Sequence, residues 1–129
     1  PEDVEVNPKT GKVYAMLTNN EARRPADPAM YPAVGHVNAA NPRPMNVWGH
    51  IVEMTPPNGD HAAETFRWEI LVKAGNPGDP LQQASFNPAT SSNGWFACPD
   101  NCAIDHQGRL WVATDQGSKW TYASGVADG

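Results

Sequence analysis

The sequence predicts an all-β protein of antiparallel strands with long connections, and three observations support this. Thirteen prolines and eleven glycines are spread through 129 residues, which favours turns over long helices. Short segments alternate apolar and polar residues, the pattern of strands with one buried face. A hairpin pattern also occurs twice, once at each end of the sequence.

The two hairpin copies lie at 1–14 and 99–111 and match with one gap. Each copy reads proline, an acidic residue, Asp or Asn, a short alternating strand, a polar turn ending in glycine, a basic residue and a second strand. The second strands are predicted at 13–18 and 110–114, and each ends in a polar cluster. The two copies are therefore predicted to be equivalent structural units.

Two more strands are predicted between the copies, at 49–54 and 66–73, joined by a turn at 56–60. In the later strand, one face is predicted to carry Phe66, Trp68, Ile70 and Val72. Four strands followed by a new copy of the first pair match a β-propeller, whose blades are four-stranded antiparallel sheets. The chain is therefore predicted to form about one and a half blades.

The predicted organisation is a blade at 1–73 with an inserted loop at 21–46, a connecting loop at 74–98, and the start of the next blade at 99–129. Loops of this length are usually functional or disordered, so 21–46 is expected either to cover one end of the blades or to be a surface loop without a role. One and a half blades would leave two apolar sheet faces uncovered. We therefore expect a piece of a longer protein, able to self-associate through these faces.

Charge and hydropathy exclude two classes of partner. The net charge is −5 and no Lys/Arg cluster occurs, which argues against nucleic acid. The apolar stretches fall far short of the roughly 20 residues that span a membrane. A cation or a small molecule is the expected partner.

Cys98 and Cys102 are expected to remain thiols, because an extended strand would hold them too far apart for a disulfide.

Oxygen-bearing side chains occupy the start of the first strand in both copies: Glu2 and Asp3 in one, Asp100 and Asn101 in the other. Neighbouring blades would direct them into one central channel. Calcium takes 6 to 8 oxygen ligands of this kind, and converging carboxylates repel one another without a cation. Alternatively, Asp and Asn form turns and cap strand ends through their own backbone. Both interpretations remain open on the pattern alone.

The sequence contains few signals for catalytic sites of other kinds. His50 begins a strand and could reach the channel, although a single histidine is more often structural. No nucleophile elbow and no glycine-rich phosphate loop occurs in the sequence. Any hydrolysis is therefore expected to be metal-assisted.

Several segments together resemble the PhoX-like alkaline phosphatases. They are 1–8, 17–20, 41–43, 49–51, 59–63, 99–101 and 108–112, and their order and spacing span almost the whole chain. The resemblance implies a secreted or periplasmic bacterial phosphomonoesterase with Ca²⁺ and Fe³⁺ in the channel of a β-propeller.

The resemblance also implies roles for individual residues. Glu2 is the first candidate metal ligand, followed by Asp100 and Asn101, with Asn20 and the adjacent Asn19 as further candidates. Arg43 is the candidate catalytic residue, because a guanidinium can form a bidentate pair with phosphate. The chain alone is expected to lack activity, since a channel needs ligands from most blades.

Two other functions fit the same pattern. Calcium-dependent propeller lactonases of the gluconolactonase type also begin a blade with Pro-Glu and would need no iron. A non-catalytic propeller that serves as an interaction platform would bind no divalent metal tightly.

Overall fold

In the computed structural model, the described residues are 1–25, 29 and 35–115. Parts of the predicted loop 21–46 and of the predicted unit 99–129 lie outside them. The described chain forms six strands and two short 3₁₀ turns, Pro57–Gly59 and Pro80–Gln82, and contains no α-helix. The strands are β1 (Asp3–Val6), β2 (Val13–Leu17), β3 (His50–Thr55), β4 (Arg67–Lys73), β5 (Pro99–Ile104) and β6 (Leu110–Thr114). The predicted all-β class is confirmed.

Strands β1 to β4 form one antiparallel sheet in sequence order, and β5 and β6 form a separate antiparallel hairpin. The register places Glu5 opposite Tyr14, Tyr14 opposite Glu53 and Glu53 opposite Glu69 across the sheet. Each predicted strand is present to within a few residues at its ends. The four sheet strands lie within 3–73 and the hairpin within 99–114.

The sheet has two ends of different construction. At the end we call the loop end, β1 begins, β2 leads into the connection 18–49, and β4 leads into the connection 74–98. At the opposite turn end, β1 and β2 are joined through residues 7–12, and β3 and β4 through residues 56–66. The long proline-rich and glycine-rich connections therefore meet at one end only.

The core lies between the sheet and the hairpin. Tyr14, Met16 and Ile51 are buried on one sheet face, and Met16 is 0% exposed. The hairpin covers them with one alternating set of side chains: Cys102, Ile104, Leu110 and Val112. Since β-strands direct successive side chains to opposite faces, the other alternating set faces away from this core.

Side-chain hydrogen bonds join the two hairpin copies at both ends of β1. The Asp3 carboxylate accepts the backbone N–H of Cys102 at 2.7 Å. The buried Asn7 amide donates from Nδ2 to the Gly108 carbonyl at 2.9 Å. Asn7 also accepts the Lys9 N–H within its own turn. These bonds hold β1 and β5 side by side, and both strands run in the same direction.

Strand β4 departs from the predicted face pattern. Its pairing with β3 shifts between Ile51 and Val52, so that Ile51 lies opposite Val72 while Val52 lies opposite Ile70. Leu71 is the extra residue of this β-bulge and is 41% exposed. The prediction that Val72 shares a face with Trp68 and Ile70 is wrong, because the bulge turns Val72 to the core face, where it packs against the buried cluster.

Two further expectations concern the cysteines and the membrane. No disulfide joins Cys98 and Cys102, as expected. Burial beside Asp3 raises the pKa of the Cys102 thiol to about 12, so this sulfur is protonated at neutral pH.

Across the described part of the chain, no helix has the length and apolar character needed to cross a membrane.

Candidate site at the loop end of the sheet

The predicted ligands Glu2 and Asp100 lie at the same end of neighbouring strands. Glu2 immediately precedes β1, and its N–H donates to the Met16 carbonyl at 2.9 Å. Asp100 lies near the start of β5, two residues before Cys102, whose N–H the Asp3 carboxylate accepts. Glu2 is exposed and Asp100 is half-buried. The two hairpin copies therefore deliver equivalent carboxylates to one side of the loop end.

The Asp3 carboxylate holds this junction and is itself occupied. It accepts the N–H groups of Val4 at 2.8 Å and of Cys102 at 2.7 Å. Its pKa is lowered, first by the Cys102 N–H and then by the Val4 N–H, because both stabilise the carboxylate. Asp3 therefore acts as a link between the strands, a role that the sequence analysis did not assign to it.

Asn20 and Asn101, the two amide candidates, have different surroundings. Asn20 is half-buried in the 18–49 connection, where its N–H donates to Asn46 O at 2.6 Å and its Nδ2 lies 3.4 Å from Asn41 Oδ1. Asn101 is exposed on the face of β5 that points away from the core. The contacts of Asn20 leave its side-chain oxygen available, and Asn101 faces solvent.

The predicted ligands do not by themselves make a metal site. In residues 1–25, 29 and 35–115, no three His, Cys, Asp or Glu side chains are grouped so as to hold a metal ion. Two carboxylates and two amides are suitable donors for calcium, but with one oxygen from each they supply only four of the 6 to 8 oxygens that calcium takes. No described group of donors suits iron. The metal assignments therefore remain predictions.

Arg43 is buried beneath the loop end and is 2% exposed. Its Nη1 donates to the carbonyls of Ala74 at 2.7 Å and Gln82 at 2.8 Å, and its Nη2 donates to Gly49 O. The guanidinium also lies over the Trp48 ring, 5.5 Å from the centroid. Burial lowers the pKa of Arg43 to about 10, so the side chain remains charged at neutral pH.

These contacts give Arg43 the geometry of a structural link between three backbone segments. The two guanidinium nitrogens that would bind a phosphate, Nη1 and Nη2, already donate to carbonyl oxygens. Within the described chain, Nε is the one nitrogen of this guanidinium that lacks a hydrogen-bond partner. The catalytic role of Arg43 stays a prediction, and the contacts around it favour a role in holding the connections together.

Asn46 and His50 continue this buried network. Asn46 accepts the N–H groups of Trp48 and Gly49 through Oδ1, and its Nδ2 donates to His50 Nδ1 at 3.3 Å. His50 Nε2 in turn lies 2.8 Å from the Ala40 carbonyl, which fixes the proton on Nε2. Burial lowers the pKa of His50, the Ala40 carbonyl opposes this, and the Arg43 charge adds to it. His50 is thus held neutral at pH 7.

Two of the three buried polar atoms left without partners at the loop end are unsuitable for a cation. In the described residues, the three atoms are Thr18 Oγ1, Arg43 Nε and Trp48 Nε1. The two nitrogens carry hydrogens and can only donate, so they suit a water molecule or an anion and not a metal ion. The sequence analysis did not predict this network. The available signal was local: Asn46 is followed three residues later by Gly49, which is typical of a turn closed by the asparagine side chain.

Comparison with known proteins supplies an independent finding. The profile of the family described as alkaline phosphatase PhoX matches residues 1–128. A solved structure, Pseudomonas fluorescens PhoX in complex with vanadate, a transition-state analogue, is similar to this chain with 37% sequence identity and a TM-score of 0.76. The similarity covers 93% of this chain and 20% of that one, so this chain spans about a fifth of the solved PhoX chain. No curated protein matches.

Proposed function

The chain belongs to the PhoX alkaline phosphatase family, and on that premise we propose that it is one section of a phosphatase that hydrolyses phosphate monoesters. One observation carries the proposal: 37% identity over 93% of the chain to a PhoX bound to a transition-state analogue of phosphoryl transfer. At this identity the two chains share both the fold and a large part of their residue pattern. The phosphatase class of the family extends to this chain on that basis.

The proposed phosphatase is longer than this chain and is built as a β-propeller. Support comes from the four-stranded sheet followed by an equivalent hairpin, which is the order of one blade and the start of the next. The length ratio to the solved PhoX is consistent with this arrangement. The bacterial family also leads us to propose a periplasmic or secreted protein.

Within that enzyme, we assign Glu2, Asp100, Asn101 and Asn20 to one side of a metal centre as oxygen donors to Ca²⁺, and the Fe³⁺ that the family resemblance implies would be held by other parts of the enzyme. Bound there, such cations would neutralise phosphate oxygens and activate an attacking oxygen. The equivalent positions of Glu2 and Asp100 at neighbouring strand starts support this assignment, and the remaining ligands would come from other parts of the enzyme. Asp3 and Asn7 keep β1 and β5 side by side, so they orient the two carboxylates.

The test uses the longest natural protein that contains this chain. We expect it to hydrolyse p-nitrophenyl phosphate and to lose activity after chelation, and we expect Glu2→Gln and Asp100→Asn each to lower kcat/KM by about 100-fold or more. Glu64→Gln is the matched control, because Glu64 is exposed on the connection at the turn end. This variant should keep full activity and metal content.

Three outcomes would contradict the proposal. Turnover of a lactone without turnover of the phosphate ester would identify a propeller lactonase instead. Absence of both activities and of tightly bound divalent metal would identify an interaction platform. Full activity of Glu2→Gln and Asp100→Asn with unchanged metal content would remove these residues from the site.

A further inference from the structure

Glycine directly follows asparagine at two positions of the sequence: Asn58 precedes Gly59, and Asn93 precedes Gly94. In this dipeptide the backbone nitrogen of the glycine can attack the side-chain amide carbon of the asparagine, because glycine has no side chain to hinder the approach. Folded structure slows the attack when it holds the asparagine side chain or the glycine N–H in place. Both asparagines are exposed, so exposure alone does not distinguish the two sites.

The Asn58 site lies in the tight turn between β3 and β4. Asn58 and Gly59 have φ of 54° and 73°, the two positive values typical of a type I′ turn. The Asn58 side chain forms no hydrogen bond with the described residues. The Gly59 N–H has one long contact, 3.4 Å to the Pro56 carbonyl, and the space around this glycine is open. The bond that closes the turn is that of Asp60 N–H to the Pro57 carbonyl at 2.9 Å.

The Asn93 site has the same dipeptide, but both reacting groups are engaged in hydrogen bonds. Asn93 Oδ1 accepts the Ser91 hydroxyl at 3.1 Å, and the Gly94 N–H donates to the Ser91 carbonyl at 3.0 Å. Trp95, which follows directly, is buried and anchors the backbone on that side. Attack at Asn93 therefore requires two bonds to break beside an anchored backbone, whereas attack at Asn58 requires the opening of one exposed turn.

The position of the Asn58 turn in the fold keeps it accessible. It lies at the turn end of the sheet, beyond both sheet faces. Blades of a β-propeller pack against each other through their faces, so the packing of blades in the longer protein proposed above does not involve this turn. The residues that follow it, Asp60 and His61, are also exposed.

We infer that Asn58 is a site of self-modification, at which the chain converts its own asparagine to aspartate and isoaspartate. The Gly59 nitrogen bonds to Asn58 Cγ and loses its proton, while the bond from Cγ to Nδ2 breaks and ammonia leaves. Water then hydrolyses the cyclic imide on either side of its nitrogen. Cleavage at Cγ gives an aspartyl residue, and cleavage at the main-chain carbonyl gives an isoaspartyl linkage through the side chain. The inference is independent of the phosphatase activity proposed above.

The two products have different effects on the turn. Aspartate, like asparagine, adopts positive φ more readily than most other residues, so the aspartyl product keeps the turn. The isoaspartyl product inserts the side-chain methylene carbon into the main chain, and the register of β3 and β4 depends on the length of the turn between them. Both products add one carboxylate, which changes the net charge from −5 to −6.

The test is incubation of the longest natural protein that contains this chain, at physiological temperature and mildly alkaline pH, followed by peptide mapping with mass spectrometry. Conversion of the amide to the acid should be at least about tenfold faster at Asn58 than at Asn93, because the bonds at Asn93 lower the population of the open form. In guanidinium chloride the two dipeptides should react at similar rates, since the folded contacts that distinguish them are absent.

Three variants sharpen the comparison of rates. Ser91→Ala removes the hydroxyl donor to Asn93 and should speed the reaction at that site a few-fold. Asn58→Gln should abolish the acidic form of the protein that the natural chain accumulates, because glutamine would have to close a less favourable six-membered ring. Asn93→Gln is the matched control and should leave the accumulation of that form unchanged.

A second measurement separates the two products. Asn58→Asp should unfold at the same temperature as the natural chain, because it keeps the turn and adds only the charge. The isoaspartyl form, purified chromatographically from the incubated protein, should unfold at a lower temperature.

Retention of Asn58 in the folded protein, over a time in which the denatured protein reacts, would overturn the inference. Equal rates at Asn58 and Asn93 in the folded protein would overturn its structural basis, because the hydrogen bonds around Asn93 would then have no effect. Unfolding of Asn58→Asp and of the isoaspartyl form at one and the same temperature would contradict the different effects of the two products on the turn.

Discussion

The two ends of the four-stranded sheet are stabilised in different ways. At the loop end, Arg43, Asn46 and His50 are buried and bonded mainly to backbone atoms of both connections. At the turn end, side chains join one short turn to another or to the sheet through more exposed contacts, such as His61 to the Gly11 carbonyl at 2.8 Å and the ion pair of the partly exposed Lys12 with Glu53 at 2.6 Å. Buried polar side chains therefore order the long connections, whereas the short ones combine local turn bonds, such as Asn7 Oδ1 to Lys9 N–H, with more exposed side-chain contacts.

The largest expected effect is that of Arg43→Met. The substitution keeps much of the side-chain volume but leaves the carbonyls of Ala74 and Gln82 without the Arg43 donor, while the Gly49 carbonyl keeps only the Ala74 N–H. Each buried unsatisfied group costs about 1–3 kcal/mol, so we expect a loss of roughly 3 kcal/mol or more in the free energy of unfolding. Urea unfolding followed by tryptophan fluorescence measures it, since Trp48 lies against Arg43.

Lys12→Met is the control for Arg43→Met at the turn end, because it also removes one cation. Lys12 is 37% exposed, but its partner Glu53 is buried, so the loss in the free energy of unfolding should be about 1 kcal/mol, smaller than that of Arg43→Met. Equal losses in the two variants would contradict the difference between the ends.

The next expected effect is that of Gly49→Ala at the start of β3. Gly49 has φ of 75°, and an added Cβ would press against the backbone carbonyls of Leu17 and Thr18 and lie 2.8 Å from Pro99 Cδ. Backbone strain and overpacking together predict a loss of about 2–4 kcal/mol. Thermal unfolding measures this loss. Gly59→Ala is the control, since Gly59 also has positive φ but has open space around its Cβ position, so it should cost less.

A smaller effect is expected from Asn7→Ala, at the contact between the two hairpin turns. The variant loses the bond to Gly108 O and the acceptor for Lys9 N–H, which predicts a loss of about 1–2 kcal/mol in the free energy of unfolding. Asn7→Asp keeps the acceptor and loses only the donor. If Asn7→Asp is as stable as the natural chain in urea unfolding, the bond between the hairpins contributes nothing.

The smallest expected effect is the pH dependence that His50 gives to stability. Its folded-state pKa is lowered, so between that pKa and the unfolded value near 6.5 the unfolded chain binds more protons. Stability is therefore lost as pH falls below about 6.5. The difference in unfolding free energy between the natural chain and His50→Gln should narrow from pH 7 to pH 5. His61→Gln, at the exposed turn end, is the matched control for removal of one histidine. A constant difference would show that His50 does not titrate on unfolding.

The sequence was sufficient to predict the strands because their alternation and turn residues are local signals. Each strand from β1 to β6 follows a pattern that a few neighbouring residues define. The equivalence of the two hairpins could also be read from the repeat, and it correctly predicted that Glu2 and Asp100 would lie at the same end of neighbouring strands.

The rest of the site could not be predicted, because it depends on contacts between distant segments. Arg43 meets carbonyls 31 and 39 residues away, and no local pattern indicates that partner set. Asp3 and Cys102 are 99 residues apart. The β4 face pattern failed for a different reason: a bulge depends on the pairing with β3, whereas strict alternation assumes regular pairing.

The extra residue in β4 matters through chain length more than through side-chain chemistry. Leu71 contributes no paired position, but its presence sets the phase of the residues that follow, so that Val72 faces inward and the Ala74 carbonyl reaches Arg43. A polar side chain at position 71 would be accommodated, because this position is exposed. Deletion of the residue would instead turn the following side chains to the opposite faces of the sheet and move the Ala74 carbonyl away from Arg43. The one additional residue in β4, compared with a regularly paired strand, is therefore what connects the sheet to the long connections at its loop end.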